Sequence, residues 1–225
     1  MPLRTPHKRC LLTGGTGRLG TALAAGLREQ GWEVLAAGSA DGDLTLADNA
    51  RGLVARAVEE LGGLDVVIYG AGAGWRVQPI EDVTEADWDA AFGVTAKGTF
   101  FVSQAAAPHL RESKGVLLII EDVAADLPWT NLAPHAAAKA AQAHLTRIFA
   151  RALAPDVRVC GISPGPVSVP PEDAEGRAAR TLLRRIGDPH DVLDAILYLA
   201  DANYVTGSTL VVDGGRRLRT VPVDP

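Results

Sequence analysis

The segment that decides the fold is Cys10-Leu11-Leu12-Thr13-Gly14-Gly15-Thr16-Gly17-Arg18-Leu19-Gly20. An apolar run ends in a glycine-rich turn, after which Leu19, Leu23 and Leu27 recur at every fourth position until Gly31. This pattern predicts a strand, a tight turn and a helix. Glycines let the backbone approach a ligand closely, and the first amides of a helix point outward without partners. The segment is either a pyrophosphate site or an ordinary strand-to-helix turn, and its place at the start of a long α/β pattern favours the first.

The composition predicts one domain. The chain has 225 residues, 47% of them hydrophobic and 22% charged, which is enough for one sizeable core. No stretch resembles a linker, so we predict a single dinucleotide-binding domain over residues 1–225, with tails at 1–9 and 216–225. The net charge is −5 and there is no basic stripe, which argues against a nucleic-acid partner.

The cysteines and the N-terminus indicate the compartment. Cys10 and Cys160 lie in separate apolar runs without a cysteine or histidine at metal-ligand spacing, so we expect buried reduced thiols and no metal site. The polar residues 1–9 lead straight into the first strand and do not resemble a signal peptide. The longest strongly apolar run, residues 116–120, is far too short to span a bilayer. We expect a cytoplasmic protein without a membrane partner.

Apolar strands alternate with helices along the rest of the chain. Strands are predicted at residues 33–37, 64–69, 116–121, 157–163 and 208–212, and a short third strand ends at 43–45. Helices are predicted at 46–61, 84–110 and 132–153 and after Asp188-Pro189. Residues 38–42 are too few for the crossover helix that parallel strands need, so that helix is missing or reduced to a turn. The alternation predicts a doubly wound parallel sheet with ligands at the carboxyl ends of its strands.

From Leu11 to Gly215 the chain resembles the short-chain dehydrogenase/reductase family. The matching landmarks are Thr13-Gly14 with Gly20, Asp43-Leu44, Ala71-Gly72, Lys139, Pro164-Gly165, Thr206-Gly207 and Asp213-Gly214-Gly215. The resemblance implies a single-domain Rossmann-type sheet of about seven strands flanked by helices, a nicotinamide dinucleotide and hydride transfer to or from a carbonyl. It places the cofactor on Thr13, Gly14, Thr16, Gly17, Arg18, Leu19, Gly20, Ser39, Asp43, Leu44, Gly70, Ala71, Gly72, Lys139, Pro164, Gly165 and Val167.

The chain departs from the family pattern at the catalytic positions. The serine that usually follows the fifth strand is Asp122, and the tyrosine four residues before the lysine is His135. The asparagine that the family usually has in its fourth helix is Thr95 here. Of the four catalytic positions, only that of Lys139 carries the family's usual residue. Arg18, where glycine is usual, and Asp122 both resemble the pteridine-reductase branch, in which the arginine helps to hold the cofactor phosphate. The chain thus resembles a pteridine-reductase-like variant whose catalytic tyrosine is replaced by histidine.

Histidine can replace a phenol as general acid or base because it changes charge near neutral pH. One interpretation of the site is therefore a catalytic proton path through Asp122, His135 and Lys139. The alternative is that the site has lost its acid and that His135 only fills space. Tyr69 is the only tyrosine near the predicted strand ends. It could serve as a substitute acid, although a packing role is favoured.

Two kinds of side chain could line a substrate pocket. Trp75 and Trp129 follow the fourth and fifth strands, where they could wall a site for a flat ring such as a pterin or simply pack. Arg177, Arg180 and Arg184 share a predicted helical face and could receive an anionic substrate or form a solvated charged face.

Two function classes follow from these residues. The first is an NADP-dependent reductase of a small carbonyl or pterin-like compound, and the second is an inactive dinucleotide-binding protein that acts as a sensor or partner subunit. NADP is expected, with NAD as the alternative, because Gly38 and Ser39 replace the acidic residue that would repel a 2′-phosphate. Arg18 adds a cation nearby.

The resemblance also implies a homotetramer or a homodimer. Its interface would be built from the helices predicted at 84–110 and 132–153, where Ala136-Ala137-Ala138 and Ala140-Ala141 would allow close approach. Symmetric pairing of identical faces is the commonest way to close such an assembly.

Overall fold

The computed structural model describes residues 7–219, in which six parallel strands form one sheet. The strands are β1 (Arg9–Thr13), β2 (Glu33–Ala37), β3 (Val66–Tyr69), β4 (Val116–Ile120), β5 (Arg158–Pro164) and β6 (Thr209–Val212). Their order across the sheet is β2-β1-β3-β4-β5-β6, so the winding direction reverses between β1 and β3. The predicted doubly wound parallel sheet is confirmed.

Helices cover both faces of the sheet. They are α1 (Arg18–Glu29), α2 (Ala47–Leu61), α3 (Glu85–Phe92), α4 (Thr99–Ser113), α5 (Ala133–Leu153), α6 (Pro171–Ala179) and α7 (Pro189–Asp201). The core on one face is shared with α2, α4 and α5, and the core on the other face with α1 and α7. Because both faces are covered, every residue of β3 and β4 is buried, which explains why these strands are continuously apolar.

The predicted third strand at 43–45 does not form, and the described residues give a sheet of six strands rather than about seven. A 3₁₀ turn at Ser39–Asp41 follows β2 instead. The carboxylate of Asp41 accepts the N–H of Gly38 at 2.8 Å and pairs with Arg56 of α2 at 2.8 Å. This closure turns the chain directly into α2, because the link is too short to cross over and pair as a strand.

The helix predicted at 84–110 consists of three segments. Thr84 caps α3 by accepting the N–H of Asp87 at 3.2 Å. A π-helical segment, Gly93–Gly98, then joins α3 to α4, and α4 continues to Ser113. The wider π-helical turn displaces the register of side chains on this long helical unit, which a single 3.6-residue period could not predict.

One expectation near the end of the chain is corrected. Helix α6 ends at Ala179 and Arg184 has a φ of 55°, so Arg184 does not share a helical face with Arg177 and Arg180. Of the predicted tails, the described part shows Arg9 at the start of β1 and a 3₁₀ turn at residues 216–218. Residues 1–6 and 220–225 of these tails lie outside the described residues.

Cys10 and Cys160 are buried and unpaired, as predicted. Between residues 7 and 219, no helix is both long and apolar enough to cross a membrane. The same part of the chain contains no group of three or more histidine, cysteine or acidic side chains placed to hold a metal ion.

Candidate active site

The glycine-rich turn lies at the carboxyl end of β1, where the sheet reverses its winding direction and where ligands of such sheets bind. Gly14 has a φ of 71°, and a side chain there would come within 2.5 Å of the Gly70 carbonyl oxygen. A Cβ on Gly20 would overlap the carbonyl oxygen of Gly14. The turn therefore needs glycine at both positions, because the loop after β3 packs on Gly14 and the first turn of α1 packs on the backbone of the glycine-rich turn.

The N-terminus of α1 presents backbone donors. The first hydrogen bond of the helix is donated by Thr21 to the Gly17 carbonyl at 2.8 Å, so the amides of Arg18, Leu19 and Gly20 precede the intrahelical ladder. Gly17 is the N-cap and has no side chain to accept from them. These donors and the positive end of the helix dipole form a cradle that suits a pyrophosphate.

The predicted loop after β3 is tied to the end of β1. The hydroxyl of Thr13 accepts the N–H groups of Gly70 at 3.1 Å and Ala71 at 3.2 Å. A Cβ on Gly72 would meet no atom within 4 Å, so the backbone there borders open space. The two loops form one continuous edge beside the cradle.

The end of β2 leaves little room for an acidic side chain. A Cβ on Gly38 would overlap the side chain of Thr16, and Ser39 begins the 3₁₀ turn. Beyond it, Asp43 accepts the N–H of Thr45 at 2.9 Å, and hydrogen bonds from the backbone and side chain of Thr45 lower the pKa of that carboxyl. Leu44 is buried in the core.

Arg18 and the segment after β5 meet across the cradle. The Arg18 guanidinium donates to the carbonyl of Ser168 at 2.9 Å. Pro164 ends β5, and Gly165 packs so closely that a Cβ would lie 2.8 Å from the Cα of Asp213. Val167 pairs through its backbone with Gly187 in a parallel bridge. The cofactor residues predicted after β1, β3 and β5 thus lie at one edge of the sheet.

Asp122 and His135 are brought together. One carboxylate oxygen of Asp122 accepts the N–H of Ala124 at 2.8 Å, which fixes the carboxylate at the start of a 3₁₀ turn after β4. The other oxygen lies 3.4 Å from Nε2 of His135, in the first turn of α5. The histidine side chain is 12% exposed and the aspartate side chain 31% exposed. An imidazole oriented by a carboxylate can carry a proton.

Lys139 does not extend this pair. Its amine donates to the carbonyls of Ile120 at 3.0 Å and Glu121 at 3.4 Å and to the side-chain oxygen of Gln142 at 2.9 Å. Among the described residues it has no hydrogen bond to His135 or Asp122. Burial lowers the pKa of Lys139, while the negative charge of Asp122 opposes the shift. Of the predicted proton path, the structure therefore shows the contact between Asp122 and His135 but no hydrogen bond between His135 and Lys139.

Gln142 is a residue that the sequence analysis missed. Its amide nitrogen donates to the Thr99 hydroxyl at 2.8 Å and to the Thr95 carbonyl at 3.3 Å, while its oxygen accepts from Lys139. It therefore connects the π-helical segment to Lys139 through a continuous chain of hydrogen bonds. The available signal was a polar residue three positions after Lys139 on a helix whose other neighbours are alanine.

Glu121 is a second missed residue. It is 4% exposed, and its side chain accepts the hydroxyl of Thr146 at 2.6 Å. A Cβ on Gly161 of β5 would overlap its carboxylate, so a glycine opposite makes room for it. Burial raises the pKa of Glu121, and hydrogen bonds from threonine hydroxyls only partly offset that effect.

Glu121→Gln is expected to change how stability depends on pH. Because the pKa of Glu121 is raised in the folded state, the native protein holds a proton that the unfolded chain loses above its ordinary value of 4.5. Wild-type stability should therefore fall, relative to the glutamine variant, as the pH rises through that window, by up to about 1.4 kcal/mol per pH unit. Urea unfolding of both proteins between pH 4 and 8 measures the difference. A difference independent of pH, or the same trend in the exposed Glu59→Gln control, would contradict it.

Tyr69 belongs to the core. It is 0% exposed and its hydroxyl donates to the carbonyl of Val94 at 2.5 Å. Burial raises the pKa of Tyr69 further from neutrality. A phenol held in this way cannot reach a ligand, so packing is the role that the structure gives it.

A cavity of about 460 Å³ opens beside the Asp122–His135 pair. Trp75 and Trp129, which the sequence singled out, both line it. Its lining also includes Gly165-Pro166, so the cavity borders the segment that follows β5. The volume lies in the usual range for small-molecule sites.

The sheet order, the glycine-rich turn and the open N-terminus of α1 define a Rossmann-type α/β fold. A family model described as Enoyl-(Acyl carrier protein) reductase matches residues 33–217. The chain belongs to the short-chain dehydrogenase/reductase family, which confirms the resemblance that its landmark residues indicated.

Relatives of known name match over nearly the whole chain. The 4-formylbenzenesulfonate dehydrogenase of Comamonas testosteroni is 30% identical, with 92% of this chain and 97% of the relative covered. The 3-oxoacyl-(acyl-carrier-protein) reductase of Thermotoga maritima is 29% identical, with 95% and 99% covered. A gluconate 5-dehydrogenase from Burkholderia cenocepacia, solved in complex with NADP and tartrate, superposes with a TM-score of 0.86 at 26% identity, with 97% and 98% covered. These relatives are oxidoreductases by name.

Proposed function

We propose that this protein is an NADP-dependent reductase of a small carbonyl or pterin-like compound, with an atypical site of Asp122, His135 and Lys139. The observation that carries the proposal is the 3.4 Å approach of His135 to Asp122 at the wall of a cavity beside the segment that follows β5. A proton donor, an orienting carboxylate and a small-molecule cavity are thereby found together.

The residues at the sheet edge fit a dinucleotide. The amides of Arg18, Leu19 and Gly20 face outward, and the glycines of the turn leave no side chain between a pyrophosphate and the backbone. Thr13, Thr16 and Gly17 shape this turn, and Gly70, Ala71, Gly72, Pro164, Gly165 and Val167 form the rest of the proposed cofactor edge. When bound, a nicotinamide would supply the hydride.

The chain's own residues would manage the proton. His135 donates a proton to the carbonyl oxygen of the substrate, and Asp122 holds the ring in place and stabilises the imidazolium. Lys139 acts behind them as a positioning residue, because its amine ties the end of β4 to α5 through the Ile120 carbonyl and Gln142. A loss of Lys139 would therefore displace both Asp122 and His135.

Two features support a planar substrate. Trp75 and Trp129 line the cavity, and aromatic rings of this size pack well against flat rings such as a pterin. One relative is named for 4-formylbenzenesulfonate, which is itself a planar aromatic aldehyde. A planar carbonyl or pterin-like compound is thus the proposed substrate.

NADPH is expected to bind more tightly than NADH. Gly38 follows β2 at the position where an acceptor for the ribose hydroxyls would stand. Thr16 fills the adjacent space, and Arg18 supplies a positive charge nearby. Calorimetric titration of the purified chain with each dinucleotide measures the preference. Tighter binding of NADH, or an unchanged ratio in Arg18→Gln, would contradict it.

A spectrophotometric panel tests the function itself. NADPH oxidation is followed with ketones, quinones, aldehydes and pterins, and turnover with at least one planar carbonyl compound is expected. Tight NADPH binding without oxidation across the panel would instead support the second candidate, a dinucleotide-binding protein without turnover. One observation favours that candidate, namely that the Lys139 amine already has three protein acceptors.

A homotetramer or homodimer is proposed as the assembled form. Trp88, Phe100 and Ile148 on the long helices α3, α4 and α5 are exposed large apolar side chains, which a second copy of the chain would cover. Light scattering at micromolar concentration should give a multiple of 23.5 kDa. A mass equal to one chain would refute the assembly.

A further inference from the structure

We propose that the cavity beside His135 selects planar carbonyl compounds that carry a carboxylate, which its arginines hold while the carbonyl faces His135. The inference rests on the proposed function and names the substrate class of the same site.

Arginines are concentrated in the cavity lining. Four of them line it, Arg177, Arg180, Arg216 and Arg219, against three carboxylates, Asp122, Glu172 and Asp173. The protein as a whole carries a net charge of −5, so this lining reverses the overall sign. A lining with an excess of positive charge attracts ligands of negative charge.

Two of the carboxylates are already committed. Asp122 faces His135, and Asp173 pairs at 3.1 Å with Arg177, which lies one turn later on α6. The side chains of that ion pair are 46% and 33% exposed, so it contributes little stability and can yield to a ligand.

The arginines lie against the aromatic walls. The guanidinium carbon of Arg177 lies 5.1 Å from the ring centre of Trp75, and that of Arg216 lies 5.6 Å from the ring centre of Trp129. Stacking on a ring orients a guanidinium plane, and a guanidinium fork can bind a planar carboxylate with two hydrogen bonds. The same cavity therefore offers flat apolar walls and oriented cations.

These features come from separate parts of the chain. Trp75 follows β3, Trp129 follows β4, Arg177 is on α6 and Arg216 follows β6. A solvated charged face on one helix would not bring two arginine–tryptophan pairs from four segments to the wall that holds His135. A planar ring that carries an anionic group and a reducible carbonyl matches the tryptophans, the arginines and His135 together.

The probes are 4-formylbenzoate and its methyl ester, which share the planar aldehyde and differ in the charge. In the reduction the aldehyde carbon gains a hydride from NADPH, which becomes NADP⁺, and the carbonyl π bond opens. The oxygen gains a proton from His135, which recovers it from water, and the product is the benzylic alcohol. We expect kcat/KM at least about tenfold higher for the carboxylate, mainly through KM.

Binding is measured separately from turnover. Calorimetry with 4-(hydroxymethyl)benzoate, with and without NADP⁺, should give an affinity about tenfold weaker in Arg177→Gln and in Arg216→Gln than in wild type. Asp173→Asn should bind more tightly, because it removes the carboxylate that competes for Arg177. The matched control is Arg184→Gln, whose guanidinium bonds to the Ala179 carbonyl outside the cavity lining and should change nothing.

The outcomes separate the two proposals. If neither aldehyde nor any compound of the panel is reduced, but the carboxylate binds and the two arginine variants weaken its binding, the reductase function is wrong and the anion site stands. Equal kcat/KM for acid and ester, or wild-type affinity for the carboxylate in both Arg177→Gln and Arg216→Gln, would overturn the anion site.

Discussion

His135→Ala is expected to lower turnover by about a hundred- to ten-thousandfold, which is the usual contribution of a general acid. The expectation rests on the 3.4 Å approach of His135 Nε2 to Asp122 and on their common cavity. Because the variant lacks the proposed proton donor, the pH profile of its turnover should also change. The measurement is the rate of NADPH oxidation at saturating substrate as a function of pH.

Three comparisons isolate the acid role. NADPH affinity should be unchanged in His135→Ala, because none of the proposed cofactor contacts uses this side chain. His135→Tyr provides a phenol as a different proton donor and should recover part of the turnover that alanine loses. His144→Ala, an exposed histidine on the same helix that bonds to Arg147, should behave as wild type. Unchanged turnover and an unchanged pH profile in the His135 alanine variant would end the acid role.

Gly20→Ala is expected to weaken NADPH binding by at least about a hundredfold. The added Cβ would overlap the carbonyl oxygen of Gly14, so the N-terminus of α1 must move away from the turn. That movement misaligns backbone donors, each worth about 1.5–3 kcal/mol to a charged group, and a change of 1.4 kcal/mol is tenfold in affinity. Titration with NADPH and thermal unfolding without cofactor are measured together, since overpacking also costs about 1–3 kcal/mol of stability.

Matched glycines make this result interpretable. A Cβ on Gly52 of α2 meets no atom within 4 Å, so Gly52→Ala should leave NADPH affinity unchanged. Gly17→Ala is the milder change at the turn, since its Cβ would lie 3.3 Å from the Gly14 carbonyl, and it should weaken binding less than Gly20→Ala. If Gly20→Ala is folded and binds NADPH as wild type does, the cradle is not the cofactor site.

The sheet was predictable wherever local pattern and long-range burial agree. The strands β3 and β4 are apolar throughout because they are covered on both faces, and that pattern is legible in the sequence. The segment Asp43-Leu44-Thr45 is not continuously apolar, and it has no strand partner among the described residues because the chain before it is too short to cross over. Whether so short a segment pairs depends on the length of the connection as well as on its side chains.

The site was predictable in part. Position along the chain indicates that Asp122 and His135 follow β4 and begin α5, which suffices to bring them together. The direction of the Lys139 amine is set by Gln142 and by the carbonyl of Ile120, and these partners depend on the packing of α4 against α5. A residue's own type and spacing do not reveal which acceptors surround it once it is buried.

The short link after β2 also affects the tendency of the protein to aggregate. Among residues 7–219, β2 pairs with β1 only, so its outer side is an open edge to which a strand from another molecule can add, as in aggregation. The edge is five residues long and begins with Glu33, and Arg28 donates to the carbonyl of Val34 at 2.9 Å. A short length, a charge and a covered carbonyl are each means by which natural sheets discourage such addition. Because the strand predicted at 43–45 is missing, replacing Glu33 or Arg28 by uncharged residues would favour the addition of strands from other molecules to the edge of β2.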